Sequence, residues 1–254
     1  MRIWVYSTRG FAVFLLLLLT PLASCGSDKS SSEESKSRGQ APSTSSTGPT
    51  GASGTTGARK EPTGSLSPQE YRLVRSAYSK IKRADKAKGL KKSLEQFRSG
   101  CEVLRDGPTS LIETTYKDCV SSVEFFDEII AFPKKFGQCG GPTQEISTES
   151  CLSAPIQAIA AKSRTAVETS KATNRALHER KIGGRCYRAI GTSERDLRNV
   201  SRIATTADGF DKAIQSGNAK RVTRATDDFR AALDRFSKSP STSPEKLLRG
   251  CRPR

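Results

Sequence analysis

The sequence predicts an all-α fold: a disulfide-stapled helical bundle of about five or six helices, set behind a disordered linker. Three observations lead there. From residue 66 onward, apolar residues recur at three- and four-residue steps, and no stretch alternates in the manner of a strand. Residues 26–65 hold almost nothing but Ser, Thr, Gly, Pro and scattered charge. The chain has seven cysteines, and six of them, Cys101, Cys119, Cys139, Cys151, Cys186 and Cys251, fall in the helical part.

Residues 1–24 form an export signal by pattern. Arg2 and Arg9 make a basic start without acids, and "FAVFLLLLLT" supplies an apolar core. That core is shorter than the ~20 residues that span a bilayer. It leads into Leu22, Ala23, Ser24 and Cys25. This run of leucine, two small residues and cysteine resembles the lipobox of bacterial lipoproteins, a resemblance confined to the signal region. It implies that the Cys25 thiol takes a diacylglycerol, that the signal is cut just before it, and that the new amino terminus is acylated, palmitate being a typical chain. Each buried methylene then contributes about 0.8 kcal/mol, and two or three chains anchor stably. The location implied is extracytoplasmic and lipid-anchored at a bacterial cell membrane: the outer leaflet of the cytoplasmic membrane, or the outer membrane of a cell that has one.

Residues 25–65 are read as the lipidated amino terminus and a linker. No large apolar side chain is present to seed a core, so this segment is expected to stay disordered. As a flexible coil its length reaches roughly 35 Å. "GPTGASGTTGAR" spaces glycines by three, but the run is far too short, and too poor in proline, for a collagen helix.

Residues 66–254 suffice for an extracytoplasmic domain with a real core. Ser67-Pro68 is a cap followed by proline at the first helical position, and Tyr71, Val74, Tyr78 and Ile81 share one face. Leu90, Leu94, Phe97, Cys101 and Leu104 share another, nearly half a turn away, so a break is placed near Gly89 as a C-cap. After the "DGP" turn at 106–108, Ile112, Thr115, Cys119, Val123, Phe126 and Ile130 make a stripe that should end by Phe132, before Pro133. Residues 133–146 are read as a loop. The next helix spans about Ala154 to Arg180 and buries Ile156, Ile159, Ala160, Ser163, Val167, Ser170, Asn174 and Leu177. Half of that face is small or polar, which suits close approach to a neighbour or partial exposure. One helix is then expected from Cys186 through Ile214. Gly217-Asn218 ends it and caps a helix carrying Val222, Ala225, Phe229, Ala232, Leu233 and Phe236, an antiparallel neighbour. Ser243-Pro244 opens a last short turn with Leu247, Leu248 and Cys251.

With Cys25 assigned to lipid, the remaining six cysteines are candidates for three disulfides in an oxidising compartment. Sequence does not choose among their connectivities. Cys139 and Cys151 bracket a Gly-Gly-Pro loop, Cys251 can tie the tail back to Cys186, and Cys101 then faces Cys119 across the "DGP" turn. No C-x-x-C occurs and the single histidine, His178, is far from any cysteine, so no metal and no cofactor is expected.

No catalytic motif is present: no G-x-S-x-G, H-E-x-x-H or Walker-type loop. His178 reads as a solvated mid-helix residue without a partnered nucleophile. Asp127-Glu128 and Asp227-Asp228 are adjacent on helices and diverge, so neither is a ready acid–base couple. Charge is the remaining feature. Of the formal +17, the signal holds +2 and the linker +1, which leaves +14 on the helical part. Its densest stretch, "KIKRADKAKGLKK", carries Lys80, Lys82, Arg83, Lys86, Lys88, Lys91 and Lys92 as candidate polyanion contacts; a solvated face is the plain alternative. Aromatics for base stacking are missing there, which argues against nucleic acid. The reading is a non-enzymatic binding or scaffolding module at the cell envelope, facing anionic lipid or envelope polymer. An envelope hydrolase built from Asp and Glu residues, or an inhibitor or immunity-like protein with one protein partner, are the alternatives.

Overall fold

The computed structural model describes residues 64–84, 89–139, 149–238 and 247–253. Among the described residues seven α-helices follow one another: α1 (Pro68–Ala84), α2 (Leu90–Glu102), α3 (Ser110–Gln138), α4 (Glu149–Glu179), α5 (Gly184–Ile190), α6 (Glu194–Gln215) and α7 (Ala219–Ser237). A 3-10 turn, Arg249–Cys251, closes the described chain, and no strand occurs among the described residues. The fold is therefore an all-α, disulfide-stapled bundle. Cys25, the signal and the linker up to residue 63 lie outside the described residues, as do Lys86, Lys88 and the Ser243-Pro244 start.

Local chemistry sets the helix starts. Ser67 Oγ accepts from the Glu70 amide (3.2 Å) while the Ser67 amide donates to Glu70 Oε2 (2.7 Å), a reciprocal cap for α1. Thr109 caps α3, Ser193 caps α6 through the Asp196 amide, and Asn218 caps α7 through the Arg221 amide. Gly89 was expected to close α1; it instead opens α2 as its N-cap, with φ 98°, a conformation that costs an L side chain.

The long helices α3 and α4 form a spine with two apolar clusters along it. The first gathers α1, Cys101, Leu104, the start of α3, the end of α4, α5 and Leu247-Leu248. The second gathers Phe125, Phe126, Ile129 and Phe132 of α3 with Ile156, Ile159 and Ala160 of α4, Ile203 and Phe210 of α6, and Phe229 of α7. Each fully buried Leu, Ile or Phe contributes about 1.5–3 kcal/mol. All eight residues expected on the inner face of α4 are buried. The small and polar ones let α3 come close: Ser170 Oγ donates to Asp118 Oδ1 (2.6 Å), and Ser121 and Thr169 hydroxyls meet at 2.6 Å. Gly100 does the same for α1 and α2, since a Cβ there would overlap Ile81.

Two sequence expectations are corrected. First, α3 does not stop before Pro133 but runs through it to Gln138. Proline forfeits the hydrogen bond to the Ile129 carbonyl. Neighbouring contacts outweigh that loss: Phe132 rings meet Phe136 and Phe229 at 5.9 and 6.0 Å, and Lys135 Nζ lies 2.8 Å from Glu128. Likewise α4 begins at Glu149 rather than Ala154, with Pro155 inside it. Second, the helix expected from Cys186 to Ile214 is two helices, α5 and α6. The break is satisfied by one side chain: the Asn174 amide accepts from Thr192 N (2.9 Å) and donates to Thr192 O (2.8 Å). Gly191 sits so close that an added Cβ would be 2.8 Å from Asn174 Oδ1.

The three disulfides are Cys101–Cys119, Cys139–Cys151 and Cys186–Cys251, the pairing favoured from spacing. The first lies inside the first apolar cluster, both cysteines at 0 % exposure. The second joins the end of α3 to the start of α4, and the third pins the C-terminal turn to α5.

Candidate anion-binding groove

On α1, Tyr71, Arg75, Tyr78 and Ser79 fall on one flank of the buried stripe, as their spacing of four, seven and eight residues requires. Opposite them lies the C-terminal turn. Leu247 and Leu248 are buried in the first cluster and Cys251 is bonded to Cys186, so the turn is held at both ends. Arg249 and Arg252 are three residues apart across it and both remain exposed. Between the two elements is a groove of about 600 Å3 lined by Tyr71, Arg75, Tyr78, Ser79, Leu248, Arg249 and Arg252. Among the described residues that line it are three arginines and no carboxylate. Among the described residues none of these three arginines forms an ion pair, although ten other pairs are present. Ser79 Oγ donates to the Arg75 carbonyl (2.9 Å).

The basic run is divided by the fold. Lys82 follows Tyr78 by four residues and extends the groove flank of α1; Arg83 is exposed beside it. Lys80 is exposed about half a turn round the helix from that flank. Lys91 and Lys92 are exposed at the start of α2. The structure thus does not gather the described members of the run into one patch. Arg75, Arg249 and Arg252 were missed in the sequence because the groove joins segments far apart in the chain; the one local signal was "RGCR", two arginines flanking a staple cysteine.

A second groove, about 630 Å3, runs between α4, α5 and α6. Its charges are mixed: Glu168, Lys171, Arg175, Glu194 and Arg198 line it, and Lys171 pairs with Glu168 at 2.9 Å. His178, in the last turn of α4, is exposed and packs on Tyr187 with ring centroids 5.3 Å apart. Burial pushes the Tyr187 hydroxyl up, and the charge of Glu194 adds to that. The adjacent carboxylates Asp127 and Glu128 do diverge: Asp127 faces Arg98 (3.5 Å) and Glu128 faces Lys135 (2.8 Å); Asp227 faces Arg230 (3.7 Å). Among the described residues no three His, Cys, Asp or Glu side chains are grouped to hold a metal, and no helix is long and apolar enough to cross a membrane.

Buried charge elsewhere is structural. Glu70 is wholly buried and receives both Arg180 Nη1 and, at 2.9 Å, Nη2, together with Thr109 Oγ1 at 2.7 Å. Burial pushes its carboxyl up; the hydrogen bonds from Arg180, Thr109 and the Ser67 amide, with the Arg180 charge, outweigh that and hold it at about 2 against an ordinary 4.5. Burial likewise pushes the Asp118 carboxyl up, against the Ser170 hydrogen bond.

No family model, curated protein or solved structure matches the chain.

Proposed function

We propose that this protein is a membrane-anchored lipoprotein, tethered through Cys25, whose basic helical domain is a non-enzymatic binding module for anionic components of the cell envelope. The groove carries the reading. Three arginines and, among the described residues, no carboxylate line one concavity on a chain of formal charge +17, which favours a positive potential there. A surface built only for solubility intersperses both signs, as the other ion pairs of this domain do.

The test is sedimentation of the unlipidated Cys25→Ser chain with isolated envelopes across a salt series. Charge-led binding is strong at low salt and is lost by about 1 M, where the screening length falls to ~3 Å. Binding that persists there points to an apolar protein partner, and no binding at any salt refutes the reading. The anchor is tested separately: the same substitution moves the protein out of the membrane fraction and abolishes palmitate labelling.

A further inference from the structure

We infer that the groove between α1 and the C-terminal turn is a binding site for one phosphate ester, with Arg75, Arg249 and Arg252 on the phosphate and Tyr71, Tyr78 and Leu248 against the organic part. This rests on the anion-binding reading above and gives it a place and a ligand class.

The argument for phosphate is geometric. A carboxylate offers two oxygens in one plane and a single charge, which one guanidinium fork matches. A phosphate offers oxygens around a tetrahedron and takes forks from several directions. Here the three arginines that line the groove come from two elements, one on α1 and two on the turn. The argument for an ester is the lining. Two tyrosines and Leu248 supply apolar wall that inorganic phosphate would not use, and about 600 Å3 is far more room than one phosphate fills. The glycerol phosphate unit satisfies both halves, and it has two sources at an envelope: the headgroup of an anionic phospholipid, or a free phosphate ester. The site depends on the third disulfide, since Cys186–Cys251 holds the turn that brings two of the three arginines. At Gly250 an added Cβ would come within 2.5 Å of the Arg185 Cβ, so the turn lies flat on α5.

The experiment titrates the exported, oxidised full chain in detergent with glycerol 1-phosphate and with short-chain phosphatidylglycerol, using short-chain phosphatidylcholine as the neutral lipid. Arg75→Ala and the double variant R249A/R252A are compared with K91A/K92A, which removes as much charge as the double variant and more than Arg75→Ala, outside the groove. All these side chains are exposed, so circular dichroism should be unchanged. The expected result is saturable 1:1 binding that weakens about tenfold or more in each groove variant and stays within about twofold in K91A/K92A. Binding of both anionic probes identifies the phosphate ester itself as the ligand; binding of phosphatidylglycerol alone identifies the lipid as the source. Equal losses in groove and control variants overturn the inference while leaving a diffuse charge-led function standing. Phosphatidylcholine bound as tightly as phosphatidylglycerol overturns it too, and a parent chain that binds neither anionic probe removes this site whether or not envelopes are bound.

Discussion

Replacing Arg180 by Met removes the one charged hydrogen-bond partner of the buried Glu70 and leaves its carboxylate to the Thr109 hydroxyl and the Ser67 amide, without a counterion. The pair joins three places: the cap of α1 at Ser67, the cap of α3 at Thr109, and the end of α4. The Gly64 amide adds a hydrogen bond to the Arg180 carbonyl at 2.7 Å. The Glu70 carboxyl sits at about 2 when folded against 4.5 ordinarily, and each pH unit between corresponds to about 1.4 kcal/mol. The hydrogen-bonded, ion-paired state therefore stabilises the fold by roughly 3 kcal/mol at neutral pH. Breaking a buried pair from one side costs a similar 3–5 kcal/mol or so. The sign follows from the depression: this stability is complete above the unfolded value near 4.5 and drains away as pH falls toward 2. Urea unfolding followed by circular dichroism at pH 7 and pH 3 checks it. Arg180→Met should lose about 3 kcal/mol at pH 7 and distinctly less at pH 3, where its Glu70 is already protonated. The E70L/R180M double variant should be more stable than R180M alone, because no buried charge is left without its counterion. A loss under about 1 kcal/mol, or one independent of pH, refutes the reasoning.

Asp118→Asn should be neutral or stabilising at pH 7, within about 1 kcal/mol, because burial disfavours the carboxylate and the amide oxygen still accepts from Ser170; a larger loss in urea titration would show that the ionised form is required. Gly191→Ala should cost about 1–3 kcal/mol and raise amide exchange at the α5–α6 junction, since the new Cβ meets Asn174 Oδ1 at 2.8 Å and the Tyr187 carbonyl at 3.0 Å. Exported protein denatured without reductant should show no reactive thiol among Cys101, Cys119, Cys139, Cys151, Cys186 and Cys251, and C101A/C119A should lose about 2–4 kcal/mol of stability.

The stapled cores and the groove are one design. A domain with many arginines and lysines repels itself, and that repulsion works against compactness. The disulfides restrict the unfolded chain, and two of them sit in or beside the apolar cluster that backs the groove. The groove arginines then project from elements that are held by Leu247, Leu248, Cys251 and the α1 stripe, so their convergence does not depend on the arginines themselves.

Helix class, the buried stripes of α1, α4, α6 and α7, and the caps Ser67 and Asn218 were legible because they are local; the cap Ser193 was not, since it lies inside what reads as one continuous helix. A 3.6-residue period and a cap side chain act within one or two turns, and residues such as Ile156 and Leu177 announce their burial by spacing alone. Of the staples, Cys139–Cys151, 12 residues apart, stood out by proximity, while Cys186–Cys251, 65 apart, and the remaining Cys101–Cys119 were candidates that the fold decides. Where tertiary packing competes with local preference, the sequence reading failed. Pro133 should have ended α3, and phenylalanine packing with Phe229 carries the helix past it. The apolar period runs unbroken from Cys186 to Ile214, and an amide from Asn174, on another helix, satisfies the backbone of the break. The charged sites were least visible of all. Lys80 to Lys92 stood out because they are consecutive, yet helical geometry spreads Lys80 and Lys82 to different sides of α1. Glu70 meets Arg180 across 110 residues, and Arg75 faces Arg249 and Arg252 only because a disulfide and two leucines bring the chain's end back to α1. Sequence by itself determined which faces turn inward; the fold decided which charges meet, because electrostatic partners are set by distance in space and carry no period along the chain.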